Sequence, residues 1–520
     1  MKIKLPYVHS KFIYSIFIFA VLIYLILGVG VHGDDYTEII GMKSYNLWEF
    51  LYPDPYKHTI QLLGFPNFYT YWWAYPVLGY ENQWVYDAIK ILVHGLSIKL
   101  IYIFARDYFS PDRALLFSLL FVLYPLHDTT TYWYMTLYYV TIPAIILYAH
   151  SLIRKNKTYK GFLLLLLGSM WHYASPPYTF GLAMIFVAEK KFKKAIFFAA
   201  PGFIYLIYYF WFKFSFPDVE RRINPELNIY SFIKNMLMQI ISFVESSIGP
   251  SYWLKVFYSI NSLSLVSVII VLVISTYFFK SSNLSPTKKI NKPLLLGLIS
   301  VAILSFSMFS LTGLYTHSAF NLSNRTTIYG SLLIAFLLST FLPGKKKSFL
   351  ILILIFVAPV FGLSDHWKSW NLTQKTIIEN ISQNSTLKSI EEDSTLIITG
   401  HDYSKLGPFS HIEFFSMPWH VKAIFQDNIK TKKVVSISNY TKFSNGYLID
   451  EKFNITYPLN NKIYLYNSIN DSIKEINKSD ISGIIEKNPK VLRHWSQLMK
   501  GTWLQKSIVW LSPRLSYLFK

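Results

Sequence analysis

Long apolar runs recur along this sequence, and they limit what the chain can fold into. A helix that crosses a hydrocarbon core of about 30 Å needs roughly 20 apolar residues, and Phe12–Val31 is the first run of that length. No small-residue cleavage site follows it, so we expect an uncleaved anchor rather than a signal peptide. Together the runs predict an all-α polytopic membrane protein with about eleven transmembrane segments. The later runs lie near residues 84–105, 114–131, 134–152, 161–174, 177–189, 195–213, 256–279, 293–314, 325–343 and 348–365.

Two of these runs, 161–174 and 177–189, are short and are separated by Pro176-Pro177. We expect them to form a re-entrant pair or a tilted hairpin. Either arrangement enters and leaves the membrane on one side, so the topology downstream is unchanged.

Basic residues are concentrated in alternate loops, as the positive-inside rule requires of a chain whose N-terminus is cytoplasmic. These loops and the N-terminus hold most of the formal net charge of +21, so a nucleic-acid partner loses its main support. We expect an integral membrane protein, with membrane lipids among its partners. Chain size, lysine usage and the absence of cysteine favour a bacterial inner (cytoplasmic) membrane. The basic loop residues lie at Arg106 and Arg113, Arg154–Lys160, Lys190–Lys194, Lys280–Lys292 and Lys345–Lys347.

The composition changes abruptly after Asp365, where the sequence becomes polar and rich in Asn, Ser and Lys. Strand-like pieces at Thr395–Thr399 and Lys462–Tyr466 predict a small mixed α/β domain. We therefore divide the chain into a transmembrane domain, residues 1–365, and an external (periplasmic) C-terminal domain, residues 366–520. The tryptophan-rich end of the chain predicts either an amphipathic helix at the membrane interface or a helix packed on its own domain.

Two adjacent carboxylates, Asp34 and Asp35, follow the first apolar run directly in the sequence His32-Gly33-Asp34-Asp35-Tyr36. Such a pair at the external mouth of a membrane helix can provide a general base or bind a divalent ion. It would lie at the level of the lipid headgroups, where a lipid-linked substrate presents its polar end. The alternative interpretation is a pair of ordinary solvated loop acids.

Three later segments lie on the same face of the predicted topology, namely Tyr86–His94, Pro125–Trp133 and Arg325–Tyr329. With the Asp-Asp pair, and in this order, they resemble motifs of the GT-C glycosyltransferases. Those are polytopic enzymes that take a sugar from a polyprenyl-phosphate carrier. The resemblance therefore implies a GT-C-like membrane fold and a glycosyltransferase activity.

The sequence departs from the family pattern at several positions. Asp87 and Lys90 stand where the family has His and Asn, and Thr129 stands where Glu is expected. The turn at residues 174–177 lacks the acid that such enzymes often carry there. If those acids orient the acceptor or bind a metal in the family, this chain does so differently or has a different acceptor.

The resemblance implies roles for individual residues. Asp34 would be the general base that takes the proton of the acceptor hydroxyl, with Asp35 as its partner. Arg325 would bind the phosphate leaving group; the alternative is an arginine that only reaches for the membrane interface. Further candidate substrate-binding residues, some of them ionisable groups inside apolar runs, are Lys90, His94, His127, Asp128, Tyr329, Arg221 and Arg222.

Several of these residues have a structural interpretation as well. Lys90 could pair with Asp87, and Arg221 and Arg222 could be solvated loop charges. The spacing of polar residues in the tail matches no metal-ligand pattern, so we interpret them as solvated loop residues. We expect no obligatory metal, and no cofactor other than the lipid-linked sugar donor. The tail residues concerned are His401, Asp402, His411, Glu413 and His420.

The sequence thus favours an enzyme that transfers a hexose from a polyprenyl-phosphate donor to a glycan or lipid-linked acceptor on the external face. A modifier of surface polysaccharide, such as an O-antigen glucosyltransferase, fits this description. The alternatives are a polysaccharide polymerase and a lipid-linked glycan transporter. The Asp-Asp pair discriminates between these functions, because a polymerase gives it no role.

Overall fold

The computed structural model describes residues 7–42, 74–215, 223, 227–281, 290–313, 316–343, 345–426, 428–431, 433–438, 440–452, 454–460, 462–488 and 491–511. The first helices are α1 (Tyr7–Ile26), α2 (Asp34–Met42), α3 (Gln83–Ala105), α4 (Pro111–Val122), α5 (Asp128–Tyr132), α6 (Tyr138–Arg154), α7 (Thr158–Met170), α8 (Pro176–Ala188) and α9 (Phe192–Ser215). They are followed by α10 (Ile229–Ser247), α11 (Pro250–Asn261), α12 (Leu265–Ser281), α13 (Lys292–Thr312), α14 (Ile328–Phe341), α15 (Lys346–Leu352) and α16 (Ala358–Gln383). Short 3₁₀ turns at Pro125–His127, Tyr134–Thr136 and Leu322–Thr327 and π turns at Ala74–Leu78 and Ile353–Val357 complete this part.

Six helical stretches within the described residues are long and apolar enough to cross a membrane, or seven if one bent pair counts as a span. They are Gln83–Ala105, Pro111–Tyr132, Tyr134–Arg154, Phe192–Phe212, Lys292–Thr312 and Leu350–Gln383, and the bent pair is Ile229–Asn261 with Leu265–Thr276. The predicted number of about eleven segments is therefore not confirmed.

The difference has a geometric reason, because several apolar runs form helices that are too short. α7 and α8 have 13 residues each, which at 1.5 Å per residue is about 20 Å, against a core of about 30 Å. The break between them falls at Pro176, which opens α8, as the sequence predicted. A further helix, α10, lies between the predicted runs 195–213 and 256–279, where no helix was predicted.

The C-terminal part is a small α/β domain, as predicted. Strands β1 (Thr395–Thr399), β4 (Lys433–Ser436), β8 (Ile463–Asn467) and β9 (Ser472–Glu475) form one sheet in the order β4-β1-β8-β9. β1 is parallel to β4 and β8, whereas β9 is antiparallel to β8. Antiparallel β2 (Tyr403–Leu406) and β3 (Phe409–Glu413) form a second sheet, and β5 (Thr441–Ser444), β6 (Tyr447–Asp450) and β7 (Ile455–Pro458) a third. The remaining helices are α17 (Ser385–Lys388), α18 (Pro418–Gln426), α19 (Ile481–Lys487), α20 (Trp495–Leu498) and α21 (Trp503–Leu511).

The membrane helices and the C-terminal domain share a continuous apolar core. α16 runs through the predicted domain boundary at residue 365 without a break, and the first strand begins only at Thr395. α18 packs against α2, so the C-terminal domain covers the segment that carries the two adjacent aspartates. This contact positions the candidate site.

Candidate active site

Glycines shape the chain between α1 and α2. Gly28, Gly30 and Gly33 all have positive φ, of 93°, 72° and 54°, a region that residues with a Cβ rarely adopt. Asp87 of α3 fixes this turn, because its carboxylate accepts hydrogen bonds from the backbone N–H groups of Gly28 (2.8 Å) and Gly30 (2.9 Å). The turn delivers Asp34 to the first residue of α2.

Asp34 is a carboxylate with one oxygen bound and one open. Its Oδ1 accepts from the indole N–H of Trp419 (2.7 Å) and from Nε2 of His420 (2.8 Å). No described residue donates to Oδ2, and 38% of the side chain remains exposed. Burial would raise the pKa of Asp34, but the bonds and charge of His420, with Trp419 and Arg325, hold it below the usual 3.8. Asp34 is therefore an ionised carboxylate that one further donor can approach.

The bonds of His420 define its protonation state. Its Nδ1 lies 3.1 Å from the carbonyl oxygen of Phe414, and its Nε2 is bonded to Asp34. A carbonyl and an ionised carboxylate only accept, so both ring nitrogens carry a proton and the imidazole is cationic. Burial lowers the pKa of His420, but the hydrogen bond and charge of Asp34 outweigh burial and raise it above 6.5. His420 therefore supplies a fixed positive charge that orients Asp34.

Further cations surround this pair. Arg325, in the turn Leu322–Thr327, lies with its guanidinium 5.5 Å from the ring centre of Trp133 and donates to the carbonyl of Leu322 (2.8 Å). Its charge is close enough to lower the pKa of Asp34. The pKa of Lys452 in the C-terminal domain is lowered, because the loss of hydration on burial outweighs the opposing charges of nearby acids, Asp34 among them. Asp34 thus lies within electrostatic range of cations from both parts of the protein.

Asp35 is placed differently from its neighbour. It is fully buried and accepts from the hydroxyl of Tyr75 (2.6 Å) and from the backbone N–H of His32 (3.0 Å). Burial raises the pKa of Asp35 to about 7, against the effect of these two hydrogen bonds. The bond to His32, three residues back, resembles the reach-back of a capping box. Asp35 therefore holds the turn that presents Asp34, which argues against a direct catalytic contact.

Asp128 is the centre of a closed network rather than a substrate ligand. It is 2% exposed, and its oxygens accept from Lys255 (2.6 Å), Asn324 (2.5 Å), Trp367 (2.7 Å) and His411 (2.8 Å). An ionised carboxylate has about four acceptor sites, so none is left for a substrate. The closed network argues against the predicted substrate contact of Asp128. It joins four elements of the helical part, which are α5, α11, the turn Leu322–Thr327 and α16, to β3.

His411 differs from His420 in charge. Its Nδ1 accepts from the backbone N–H of Asn321 (3.2 Å), and its Nε2 donates to Asp128. One nitrogen is therefore an acceptor and the ring is neutral. Burial also lowers the pKa of His411, in spite of the opposing charge of Asp128.

Lys90 and His94 are buried in α3 and bonded to the protein. Lys90 Nζ donates to the carbonyls of Gly30 (2.6 Å) and Tyr132 (3.0 Å) and forms an ion pair with Asp87 (2.8 Å). Nδ1 of His94 bonds the carbonyl of Lys90 (2.8 Å). The pairing of Lys90 with Asp87, the structural alternative, is confirmed, and burial of both side chains argues against the predicted contact with the donor phosphate.

His127 and Tyr329 are also fully buried. His127 Nδ1 bonds Thr130 Oγ1 (2.8 Å), whereas the Tyr329 hydroxyl donates to the carbonyl of Ala174 (2.9 Å). The Tyr329 ring stacks on Tyr178 at 4.9 Å. Their burial argues against the predicted substrate contacts. The other two candidates, Arg221 and Arg222, lie outside the described residues.

Sequence reasoning missed the C-terminal half of the site. His411 and His420 were interpreted as solvated loop residues, and this was wrong, because both are fully buried and bonded to Asp128 and Asp34. Their partners lie more than 280 residues earlier in the chain. Lys255 could have been found, since an ionisable residue inside an apolar helix calls for a partner. Within the described residues, no group of three His, Asp or Glu side chains is arranged to hold a metal ion, and the expectation of no obligatory metal stays a prediction.

The fold and this site define an integral membrane protein with a mostly helical membrane part and a small C-terminal α/β domain. No protein-family model and no curated protein matches the chain. Among solved structures the chain is similar to an oligosaccharyltransferase from Archaeoglobus fulgidus, solved in complex with zinc and sulfate, at 11% identity and a TM-score of 0.38. The match covers 81% of this chain and 62% of that one, so this chain spans less than two thirds of that enzyme. A similarity at this TM-score carries no argument for fold or function.

Proposed function

We propose that the protein is a membrane glycosyltransferase of GT-C type that transfers a hexose from a polyprenyl-phosphate donor to a glycan or lipid-linked acceptor on the external face. One observation carries this proposal. Asp34 is ionised, its Oδ2 has no donor among the described residues, and Arg325 lies close enough to lower its pKa. A candidate base directly after the first apolar helix thus lies within electrostatic range of an arginine, a residue type that matches phosphate in geometry.

The arrangement supports a single displacement. The acceptor oxygen attacks the anomeric carbon, and its proton passes to Oδ2 of Asp34. The bond between the anomeric carbon and the phosphate oxygen breaks, and the electron pair stays on the phosphate. Arg325 can stabilise that developing charge, because guanidinium and phosphate match in geometry. His420 and Trp419 act through Asp34 by fixing its other oxygen, so they are positioning residues.

The experiment uses membranes from expressing cells and a panel of radiolabelled polyprenyl-phosphate hexoses, with loss of label from the carrier as the readout. We expect the unaltered protein to discharge one carrier, and Asp34→Asn to lower the rate by about 10²–10⁴-fold, the usual contribution of a general base. Arg325→Ala should lower it by about 10²–10³-fold, as for other groups that stabilise developing charge.

Matched controls separate chemistry from folding. Asp393 and Arg106 are exposed, so Asp393→Asn and Arg106→Ala remove the same charges away from the site and should leave the rate unchanged. All variants are compared at equal yield and equal thermal midpoint. If no carrier in the panel is discharged, or if Asp34→Asn keeps full activity, the transferase proposal fails and a polymerase or transporter takes its place.

A further inference from the structure

The C-terminal helix α21 presents an apolar and aromatic face outward. Trp503 is 75% exposed and Trp510 is 82% exposed. They are seven residues apart, which places them two turns apart on one side of the helix. Lys506 lies between them and is exposed, as is Lys500 just before the helix. Tryptophan with lysine in this arrangement is typical of helices that lie in the headgroup region of a bilayer.

A second exposed apolar face lies on α10 and α11, which we call the elbow (residues 229–261). Large apolar side chains recur on α10 at helical spacing and are 47–81% exposed; they are Ile229, Ile233, Leu237, Ile241 and Val244. The helix direction changes by 111° between the elbow and the apolar helix Leu265–Thr276 that follows it. When that helix crosses the bilayer, the elbow lies close to the membrane plane, with its stripe available to lipid.

The two faces are connected. α20 packs against α11, and Nδ1 of His494 lies 4.0 Å from the carboxylate of Glu245 in the elbow. Four residues separate α20 from α21, and an extended chain of that length spans at most about 17 Å. α21 therefore begins near the elbow, at the level of the membrane surface.

We propose that α21 and the elbow form one lipid-docking surface, in which Trp503 and Trp510 lie among the headgroups and Lys500 and Lys506 favour anionic phospholipids. The bilayer is the occupant because the apolar stripe continues into a helix that is itself apolar on its outer surface, with Leu265 and Leu272 at least 60% exposed. This surface holds the C-terminal domain, and with it His420, down on the membrane. The proposal is independent of the proposed reaction.

The chain contains no cysteine, so single labelling sites can be introduced without background. Trp510→Cys, Ile233→Cys and Ile469→Cys place a fluorophore on α21, on the elbow and on the loop between β8 and β9, where Ile469 is 67% exposed. The labelled full-length proteins are reconstituted into vesicles of phosphatidylglycerol and phosphatidylcholine. Quenching is measured with brominated lipid and with aqueous iodide.

We expect labels at 510 and 233 to be quenched by brominated lipid and shielded severalfold from iodide, and the label at 469 to show the opposite. Shielding at 510 should weaken in vesicles of phosphatidylcholine alone, and Lys506→Glu should remove this lipid dependence. Equal iodide quenching at 510 and 469 would overturn the proposal and leave α21 as a surface for a soluble partner. An aqueous environment at 233 would overturn the role of the elbow. Thermal midpoints equal to that of the unlabelled protein show that the variants are folded.

Discussion

Replacing Asp128 by Asn tests whether the closed network joins the two parts of the protein. The substitution keeps the size of the side chain and removes its charge. Lys255 would then be a buried cation, 1% exposed, without its counter-charge. The asparagine side-chain oxygen can accept from only two of the four donors. The asparagine amide group is itself a donor, so it would repel the other two donors.

The cost follows from these contacts. Breaking a buried ion pair by removing one partner costs about 3–5 kcal/mol, and a buried donor without an acceptor costs about 1–3 kcal/mol more. A change of tautomer at His411 cannot relieve the conflict, because its Nδ1 must stay unprotonated to accept from Asn321. We therefore expect Asp128→Asn to lower the free energy of unfolding by at least about 3 kcal/mol.

The assay is unfolding by sodium dodecyl sulfate in mixed micelles, followed by tryptophan fluorescence. Asp112→Asn is the control, since Asp112 is an exposed acid in the first turn of α4 and is worth less than about 1 kcal/mol. The double variant Asp128→Asn with Lys255→Met should be less destabilised than the sum of the two single variants, because it removes both charges. A loss for Asp128→Asn no larger than that of the control, or additive single effects, would refute the reasoning.

Two further predictions concern the contact at Asp34 and the helix packing. Because the pKa of His420 is raised in the folded protein, its contribution to stability is complete below pH 6.5 and is lost as the pH rises through the folded pKa. Because the pKa of Asp34 is lowered, the contribution of Asp34 to stability is complete only above about pH 3.8. The thermal midpoint of the unaltered protein should therefore exceed that of His420→Gln most between these values, and the difference should shrink towards pH 9; a constant difference contradicts the charged pair. Gly362→Ala should cost about 1–3 kcal/mol or more, because a Cβ there would overlap the backbone of Ser259. Gly483→Ala, with no neighbour within 4 Å, should instead be neutral or stabilising in the same unfolding assay.

Hydropathy correctly predicted helices that are long and apolar enough to cross a membrane. The expected runs 84–105 and 293–314 correspond to Gln83–Ala105 and Lys292–Thr312, because a long apolar run is a local property of the chain. The runs of α7 and α8 were included among the eleven segments, although their shortness and the Pro176-Pro177 break already predicted a re-entrant pair or a tilted hairpin. Average hydropathy hides an amphipathic helix, which is why α10 was missed although its apolar residues recur every three or four positions.

The candidate site was predicted in part for the same reason. The placement of Asp34 after an apolar run is local, whereas the roles that the resemblance implies for Asp34 and Arg325 stay predictions. The partners of both aspartates are not local, because His420 lies 386 residues beyond Asp34 and His411 lies 283 beyond Asp128. Whether a histidine in a polar tail is solvated or buried depends on the packing of α18 and β3 on the membrane part, and no pattern within the tail contains that information.

Asp34 and Asp128 both contact the C-terminal domain, but they differ in how many of their acceptor sites are occupied. This difference suits Asp128 to holding the domain and Asp34 to a chemical role. Asp128 has donors on all its acceptor sites, a neutral histidine among them, so it has no site left for a further donor. Asp34 has donors on one oxygen and exposure on the other, with a cationic histidine that holds it ionised. A domain fixed at the first contact can present His420 to the second in a constant geometry. In the proposed reaction, the open oxygen of Asp34 would then receive the acceptor hydroxyl without loosening the domain.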